Sequence, residues 1–221
     1  MLFFVNYCIK KMRYIYNILI ILFFNLVLSN ETWLMTITAS DIGGEGASDY
    51  ITLGMCSDCN DSFSFGEDEE DLPVPPGYYT DISFFNFDWI GVEYGDPNNP
   101  VFLDNPEFYI DKKSFHESAD LLIWNINGFT NLPNENSPIE ISWNLDELAE
   151  LSADYEIYLY IGDSSYDMRN ISNVVITEEQ LLIQQSTSGE FISNIQVVIG
   201  GCAEDGNIAD YYYDQDGDGF G

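Results

Sequence analysis

The end of the sequence holds the residues whose spacing points most directly to chemistry. Asp214, Asp216 and Asp218 stand two residues apart, and Gly219 follows the third. Alternating carboxylates before a glycine turn allow one loop to surround a hard cation, and Ca²⁺ accepts about six to eight oxygen ligands. In a twelve-position calcium loop the aspartates fill positions one, three and five, and the carbonyl of Phe220 fills position seven. We therefore predict that Asp214, Asp216, Asp218 and Phe220 bind calcium.

This loop lacks one of its usual ligands. The bidentate carboxylate of position twelve would be residue 225, and the sequence ends at Gly221. The alternative is an acidic, glycine-rich tail that stays solvated, but the spacing and the glycine position favour calcium. We expect the loop to bind Ca²⁺ weakly.

The charge of the chain excludes some partners. It has 38 acidic and 6 basic residues, with a net charge of −32. Lys10, Lys11 and Arg13 precede residue 30, so three cations remain against 38 acids, which leaves −35. Such a surface repels nucleic acid and anionic membranes and attracts cations. We predict no nucleic-acid binding and a gain of stability from salt or Ca²⁺.

Residues 1–29 have the pattern of a secretory signal peptide. Basic residues precede an apolar run, Tyr14–Leu28, and the small Ser29 allows cleavage before Asn30. The run is shorter than the roughly 20 residues that a spanning helix needs. We expect export to the cell surface or the extracellular space, with no membrane span after cleavage. Met12 is an alternative start for the same signal.

Three cysteines follow the signal, at Cys56, Cys59 and Cys202. Export permits disulfides. Cys56 and Cys59 have the spacing of redox and zinc motifs, but no second Cys or His pair completes a zinc site, and acidic neighbours raise a thiol pKa. We expect a structural role, in which either Cys56 pairs with Cys59 or one of them pairs with Cys202.

The body of the chain alternates apolar and polar residues with the period of strands. About ten short strands separated by Gly, Pro, Asn and Asp predict an all-β fold, an antiparallel β-sandwich of immunoglobulin-like or jelly-roll-like type. We place it at residues 30–200, with a linker and a truncated calcium repeat at 201–221 and one helix at Leu145–Leu151. The predicted strands are Thr32–Ala39, Tyr50–Gly54, Asp81–Ile90, Glu107–Ile110, Leu121–Ile126, Ile139–Trp143, Tyr155–Ile161, Val174–Ile176, Leu181–Ile183 and Ile195–Ile199.

Two further stretches have both a functional and a structural interpretation. The five acids Glu67–Asp71 form either a second cation site or recognition loop, or a solvated loop that protects a sheet edge. Contiguous acids lack the alternate spacing of a cation loop, so we prefer the solvated loop. A set of aromatic residues forms either a sugar-stacking platform or core packing, and alternation directs half of them inward. This set is Tyr78, Tyr79, Phe84, Phe85, Phe87 and Trp89.

The sequence shows no catalytic centre. His116 is the single histidine, and a lone histidine is more often a surface or hydrogen-bonding residue than a base. No GxSxG motif is present. Acids are so numerous that a pair with glycosidase spacing carries no information. We predict a protein that is not an enzyme.

The ending 211–221 resembles the first repeat of the thrombospondin type 3-like and dockerin-like calcium arrays of secreted bacterial proteins. That resemblance implies Asp214, Asp216 and Asp218 as ligands. Leu53–Gly54, with Cys59–Phe63 and Glu67–Pro76, is similar to N-terminal sandwich modules of large exported bacterial proteins. This second resemblance implies the front part of a longer protein that is exported by type IX secretion.

Together these features predict a secreted or cell-surface, calcium-binding module with a structural or adhesive role and no catalysis. Its partners would be Ca²⁺ and an extracellular glycan or a cell-surface protein. The alternative is a carbohydrate-binding module attached to an extracellular polysaccharide-degrading enzyme.

Overall fold

A computed structural model describes residues 32–71, 73, 76–114, 121–133, 137–181, 184–185 and 191–201 of the chain. The predicted signal peptide lies outside the described residues, as do His116, Cys202 and the predicted calcium ligands Asp214, Asp216, Asp218 and Phe220.

The described residues form strands joined by short turns, with little helix. The described residues include two α-helices, α1 at Leu145–Glu150 and α2 at Glu178–Leu181, and a short 3₁₀ helix at Phe87–Trp89. The strands are β1 Thr32–Asp41, β2 Asp49–Cys56, β3 Glu69–Glu70, β4 Thr80–Phe85, β5 Glu93–Asp96, β6 Asn99–Phe102, β7 Glu107–Ser114, β8 Leu122–Thr130, β9 Ile139–Trp143, β10 Tyr155–Ile161, β11 Ser164–Asp167, β12 Asn173–Ile176, β13 Gln184–Gln185, β14 Phe191–Ile192 and β15 Ile195–Gly201.

Most strands belong to one large curled sheet of 11 strands. Their order is β11-β10-β15-β8-β4-β7-β2-β1-β9-β12, and β3 pairs with β7 beside this path. The predicted all-β, sandwich-like fold is confirmed. The pair β2·β7 is parallel, so the sheet is mixed rather than wholly antiparallel. Two small hairpins, β5·β6 and β13·β14, stand apart from it.

Strict alternation along β1 and β2 builds the core. Trp33, Met35 and Ile37 are buried on one face of β1, because successive side chains of a strand point to opposite faces. They stand opposite Met55, Leu53 and Ile51 of β2, which are buried as well. Each such side chain stabilises the fold by about 1.5–3 kcal/mol when it leaves water. The same pattern on β8, β10 and β15 completes a single core.

The predicted helix at Leu145–Leu151 is confirmed as α1. Asn144 caps its first turn, because its side chain accepts a hydrogen bond from the amide of Asp146 at 2.9 Å. The guanidinium group of Arg169 donates to four backbone carbonyls in the last turn of the helix and just beyond it. These carbonyls belong to Leu148, Leu151, Ser152 and Tyr155.

Two predicted segments differ from the structure. The strand Asp81–Ile90 ends at Phe85, and the 3₁₀ turn that follows directs Trp89 into the core. The strand predicted at Leu181–Ile183 is wrong at its start, because Leu181 ends α2.

Strand β15 also runs past the predicted domain boundary. Gly200 and Gly201 stand opposite Glu156 and Tyr155 of β10. Gly201, the first residue of the predicted linker, therefore pairs within the sheet.

Candidate ligand-binding site

The candidate site lies beside an irregularity in β7. Against β3, Glu69 stands opposite Ile110 and Glu70 opposite Phe108, so Tyr109 is one extra residue in β7. Such a β-bulge shifts the alternation of the strand by one position. Phe108 and Asp111, three residues apart, are consequently both buried on the inner side of the sheet.

The start of β4 lies beside the residues that precede β2. The amide of Thr80 donates to the carbonyl of Ala47 at 2.9 Å. Two residues further on, the amide of Ile82 donates to Oδ2 of Asp49 at 3.0 Å. The regular pairing of β4 with β7 comes only later, at Phe84 and Phe85. A side-chain carboxylate thus takes the place of a strand partner at Ile82.

A cavity of about 350 Å³ lies where β2, β4 and the bulge of β7 come together. We call it the tyrosine cavity. Its volume falls within the range of about 300–1,000 Å³ that is usual for ligand sites. Among the described residues that line it, none is basic. Its lining includes three tyrosines and three aspartates, namely Tyr50, Tyr79, Tyr109, Asp49, Asp71 and Asp81.

The three aspartates repel one another in this cavity. Burial raises the pKa of Asp81 to about 7, and the charges of Asp71, Asp49 and Glu107 contribute in the same direction. Near neutral pH its carboxyl group therefore exchanges between a form that donates a hydrogen bond and one that only accepts. The hydroxyl of Tyr109 donates to Glu69, which raises the tyrosine pKa to about 12 and keeps the hydroxyl protonated.

This set of groups suits an amphipathic, hydroxyl-rich ligand. Tyrosine combines an apolar ring with a polar end. Carboxylates accept hydrogen bonds from ligand hydroxyls, and a protonated Asp81 can donate one. A largely apolar surface with a few well-placed polar groups is what fixes the orientation of a small ligand.

A second, larger cavity of about 560 Å³ has a different chemistry. Phe85, Phe87, Asn86 and Asn125 are among its lining residues. The rings of Phe85 and Phe87 are stacked, with centroids 6.4 Å apart. Phe87 is 51% exposed. We call this the phenylalanine cavity.

The cation that lines the phenylalanine cavity is already engaged. Lys113 is 8% exposed, and its Nζ lies 3.8 Å from Oδ2 of Asp111. The same Nζ lies 5.5 Å and 6.0 Å from the ring centroids of Trp124 and Trp89. Burial raises the pKa of Asp111, while Lys113 and a 2.9 Å hydrogen bond from Asn86 act against this rise.

The six aromatic residues singled out in the sequence do not form one platform. Phe84 and Trp89 pack in the core, as alternation predicts for part of the set, whereas Tyr78 and Phe87 are exposed. The others are divided between the two cavities: Tyr79 lines the tyrosine cavity and Phe85 the phenylalanine cavity.

The acidic run Glu67–Asp71 is not a solvated loop throughout, so that interpretation was wrong at Asp68. This residue is 3% exposed, and its carboxylate accepts hydrogen bonds from the amides of Ser64 at 2.7 Å and Lys112 at 2.9 Å. Burial is the main cause that raises its pKa to about 7. Asp68 therefore holds the acidic segment against β7 through the amide of Lys112. In the same segment, β3 forms two residue pairs with β7.

Cys56 and Cys59 are joined by a disulfide, with their Cα atoms 5.2 Å apart. The bond closes the turn that follows β2. The other pairing considered, with Cys202, lies outside the described residues.

Neither a metal centre nor a spanning helix is found in the part of the chain that the structure describes. Its His, Cys, Asp and Glu side chains include no group of three or more that is arranged to hold a metal ion. The helices within the same residues are all too short or too polar to cross a bilayer.

Tyr50, Asp49 and Tyr109 were not among the sequence-based candidates, whereas Asp71 ends the acidic run Glu67–Asp71 that the sequence analysis considered. Tyr50 and Tyr109 belong to strands in which their neighbours Ile51 and Phe108 are buried. An aromatic residue with a polar end on the outward side of a strand is the signal that could have selected them. Comparisons with protein-family models, with curated proteins and with solved structures found no match to this chain.

Proposed function

We propose that the β-sandwich is a non-catalytic carbohydrate-binding and adhesion module of an exported protein. The observation that carries this proposal is the tyrosine cavity, in which three tyrosines and three aspartates line one space. The sequence supports export through its predicted signal peptide, with the cell surface or the extracellular space as the location.

The chemistry of a sugar matches this lining in two ways. Its C–H face packs on an aromatic ring, and Tyr50, Tyr79 and Tyr109 supply such rings. Its hydroxyls need acceptors and donors, which the carboxyl groups provide. Because the ligand replaces water at polar groups that are already in place, little reorganisation opposes binding.

Binding is tested with the chain that starts at Asn30, first on a glycan array and then by calorimetry with the best ligand. Tyr79→Ala is expected to weaken binding about tenfold, because one stacked ring is lost. Phe87→Ala is the matched control, since it removes an aromatic ring from the other cavity. Absence of glycan binding, or an equal loss in both variants, would overturn the proposal.

The same samples test the absence of catalysis. The pKa of Asp81 is raised to about 7, which would suit a general acid at neutral pH. Glycosidases combine such an acid with a second carboxylate. Incubation of the bound glycan with the protein is expected to leave it intact. Release of reducing ends that Asp81→Asn abolishes would show an enzyme instead.

We also propose a second role, in which the tail binds Ca²⁺ and stiffens into a spacer. The spacing of Asp214, Asp216 and Asp218 before Gly219 favours it. Calcium would neutralise a self-repelling segment and make it more rigid. Calorimetry with Ca²⁺ is expected to show millimolar binding that Asp216→Asn removes, and no heat of binding at millimolar Ca²⁺ would contradict this role.

A further inference from the structure

We propose that the tyrosine cavity selects glycans that carry free amino groups, and that the protonated amine of the sugar lies among Asp49, Asp71 and the tyrosine rings. This inference rests on the proposed carbohydrate-binding function and specifies the ligand. The ligand class is a glucosamine-type oligosaccharide whose nitrogen is not acetylated.

The lining of the tyrosine cavity is acidic. Asp49, Asp71 and Asp81 line the cavity, and no basic residue is among the described residues around it. Their mutual repulsion is relieved when a positive group enters, since an opposite charge favours the ionised carboxylate. A glycan with carboxylates would meet only repulsion at the same place, so the lining also rejects acidic sugars.

The aromatic rings of the cavity also favour an amine. Tyr50, Tyr79 and Tyr109 line the same space. The face of a tyrosine ring attracts an ammonium group, and cavities that combine several rings with carboxylates are suited to organic cations. Neutral sugars use the rings for packing alone, whereas an amino sugar gains from both the rings and the charges.

A third observation concerns a polar atom that has no partner. Thr80 lines the cavity and is 1% exposed. Within the described residues, its hydroxyl oxygen has no hydrogen-bond partner. Buried polar groups in proteins are nearly always paired, so a ligand N–H or O–H group would satisfy this oxygen once the Thr80 side chain turns toward the cavity.

The electrostatic field of the whole protein also favours cationic ligands. The chain after the signal carries a charge of −35, and such a field raises the local concentration of cationic ligands. This field is not selective for one place on the surface. The experiment must therefore separate attraction by the cavity from attraction by the whole protein.

The test compares two trisaccharides by calorimetry at about 0.15 M salt, where charges farther apart than about 8 Å are largely screened. One is the trimer of glucosamine and the other is the trimer of N-acetylglucosamine. The free amine is expected to bind at least about tenfold tighter. Asp71→Asn is expected to reduce this preference to about threefold or less while the acetylated trimer binds as before, because a neutral acceptor remains.

Asp163→Asn is the matched control. Asp163 is exposed in the turn between β10 and β11, so the variant removes the same charge outside the cavity. It is expected to keep the full preference for the amine. Asp49 is not used as the test position, because its carboxylate accepts a hydrogen bond from the amide of Ile82.

Each other outcome overturns the inference in a distinguishable way. If the acetylated trimer binds as tightly as the amine, carbohydrate binding stands and the selection for an amine fails. If Asp163→Asn lowers the preference as much as Asp71→Asn, the attraction comes from the whole protein and not from the cavity. If neither trimer nor any other glycan binds, the proposed function fails with it.

Discussion

The carboxylate of Asp49 accepts a hydrogen bond from the backbone amide of Ile82, 33 residues further along the chain, at 3.0 Å. Asp49 begins β2, and Ile82 lies inside β4. The contact joins two strands that are not neighbours in the sheet order. It also fixes one wall of the tyrosine cavity, so stability and binding depend on the same side chain.

Asp49→Ala is expected to lower the free energy of unfolding by about 1–3 kcal/mol, because a part-buried amide then loses its acceptor. Asp49→Asn keeps an acceptor oxygen and is expected to lose less than half as much. Urea unfolding measures both variants. Equal losses in the two would show that the hydrogen bond is not the source of the effect.

Of the three basic residues that follow residue 29, Arg169 is expected to contribute most to stability near α1. Arg169→Lys is expected to cost about 2 kcal/mol, because an ammonium group cannot reach the four carbonyls that the guanidinium group contacts. Lys112→Met, a half-buried cation on β7, is the control and is expected to change stability by less than about 0.5 kcal/mol. A loss of that small size in Arg169→Lys would contradict the prediction.

Asp68 is expected to make stability fall as the pH rises. Its pKa in the folded chain is about 7, above the value of 3.8 for a solvated aspartate. The folded state therefore holds a proton that the unfolded state has lost between these values, and the free energy of unfolding decreases from about pH 4 to about pH 7. For one such group the slope is at most about 1.4 kcal/mol per pH unit.

Asp68→Asn isolates this contribution, because the remaining charges change in the same way in both proteins. The variant is expected to show a flatter dependence on pH, whatever its absolute stability. Thermal unfolding between pH 4 and pH 8 measures the difference. Parallel curves for the two proteins would contradict the assignment to Asp68.

Lys113 and Asp111 form a buried pair whose members depend on each other. Lys113→Met is expected to cost about 3–5 kcal/mol at neutral pH, because it leaves the carboxylate of Asp111 buried and unpaired. Adding Asp111→Asn removes that charge, so the double variant is expected to be more stable than Lys113→Met alone. A double-mutant cycle by urea unfolding tests this, and additive losses would exclude the coupling.

Much of the fold follows from local patterns. Ile139–Trp143 and Tyr155–Ile161 were predicted with the bounds that the structure gives, because their alternation is strict. The strand predicted at Leu181 failed for a local reason that the sequence did contain. Thr177 and Gln180 match the pattern of a capping box and make half of it, since the amide of Thr177 donates to Oε1 of Gln180 at 3.0 Å. The strand was predicted from the three consecutive apolar residues Leu181–Ile183 instead.

The candidate site was less accessible from sequence. Asp49, Asp71 and Asp81 come from separate segments, and their proximity depends on the bulge at Tyr109 and on the parallel pairing of β2 with β7. A bulge leaves no pattern that distinguishes it from ordinary alternation over so few residues. The burial of Asp68 was missed for a similar reason. Five consecutive acids predict an exposed segment, and one of the two amides that bond to Asp68, that of Lys112, lies 44 residues further along the chain.

The position of β15 has a mechanical consequence. This strand leads directly into residues 202–221 and is hydrogen-bonded to β10 on one side and β8 on the other. A force directed along β15 from Gly201 would load the ladder with β10 first and, from Ile199 inward, the ladder with β8 as well. Many hydrogen bonds would then have to break together before the strand could slide out.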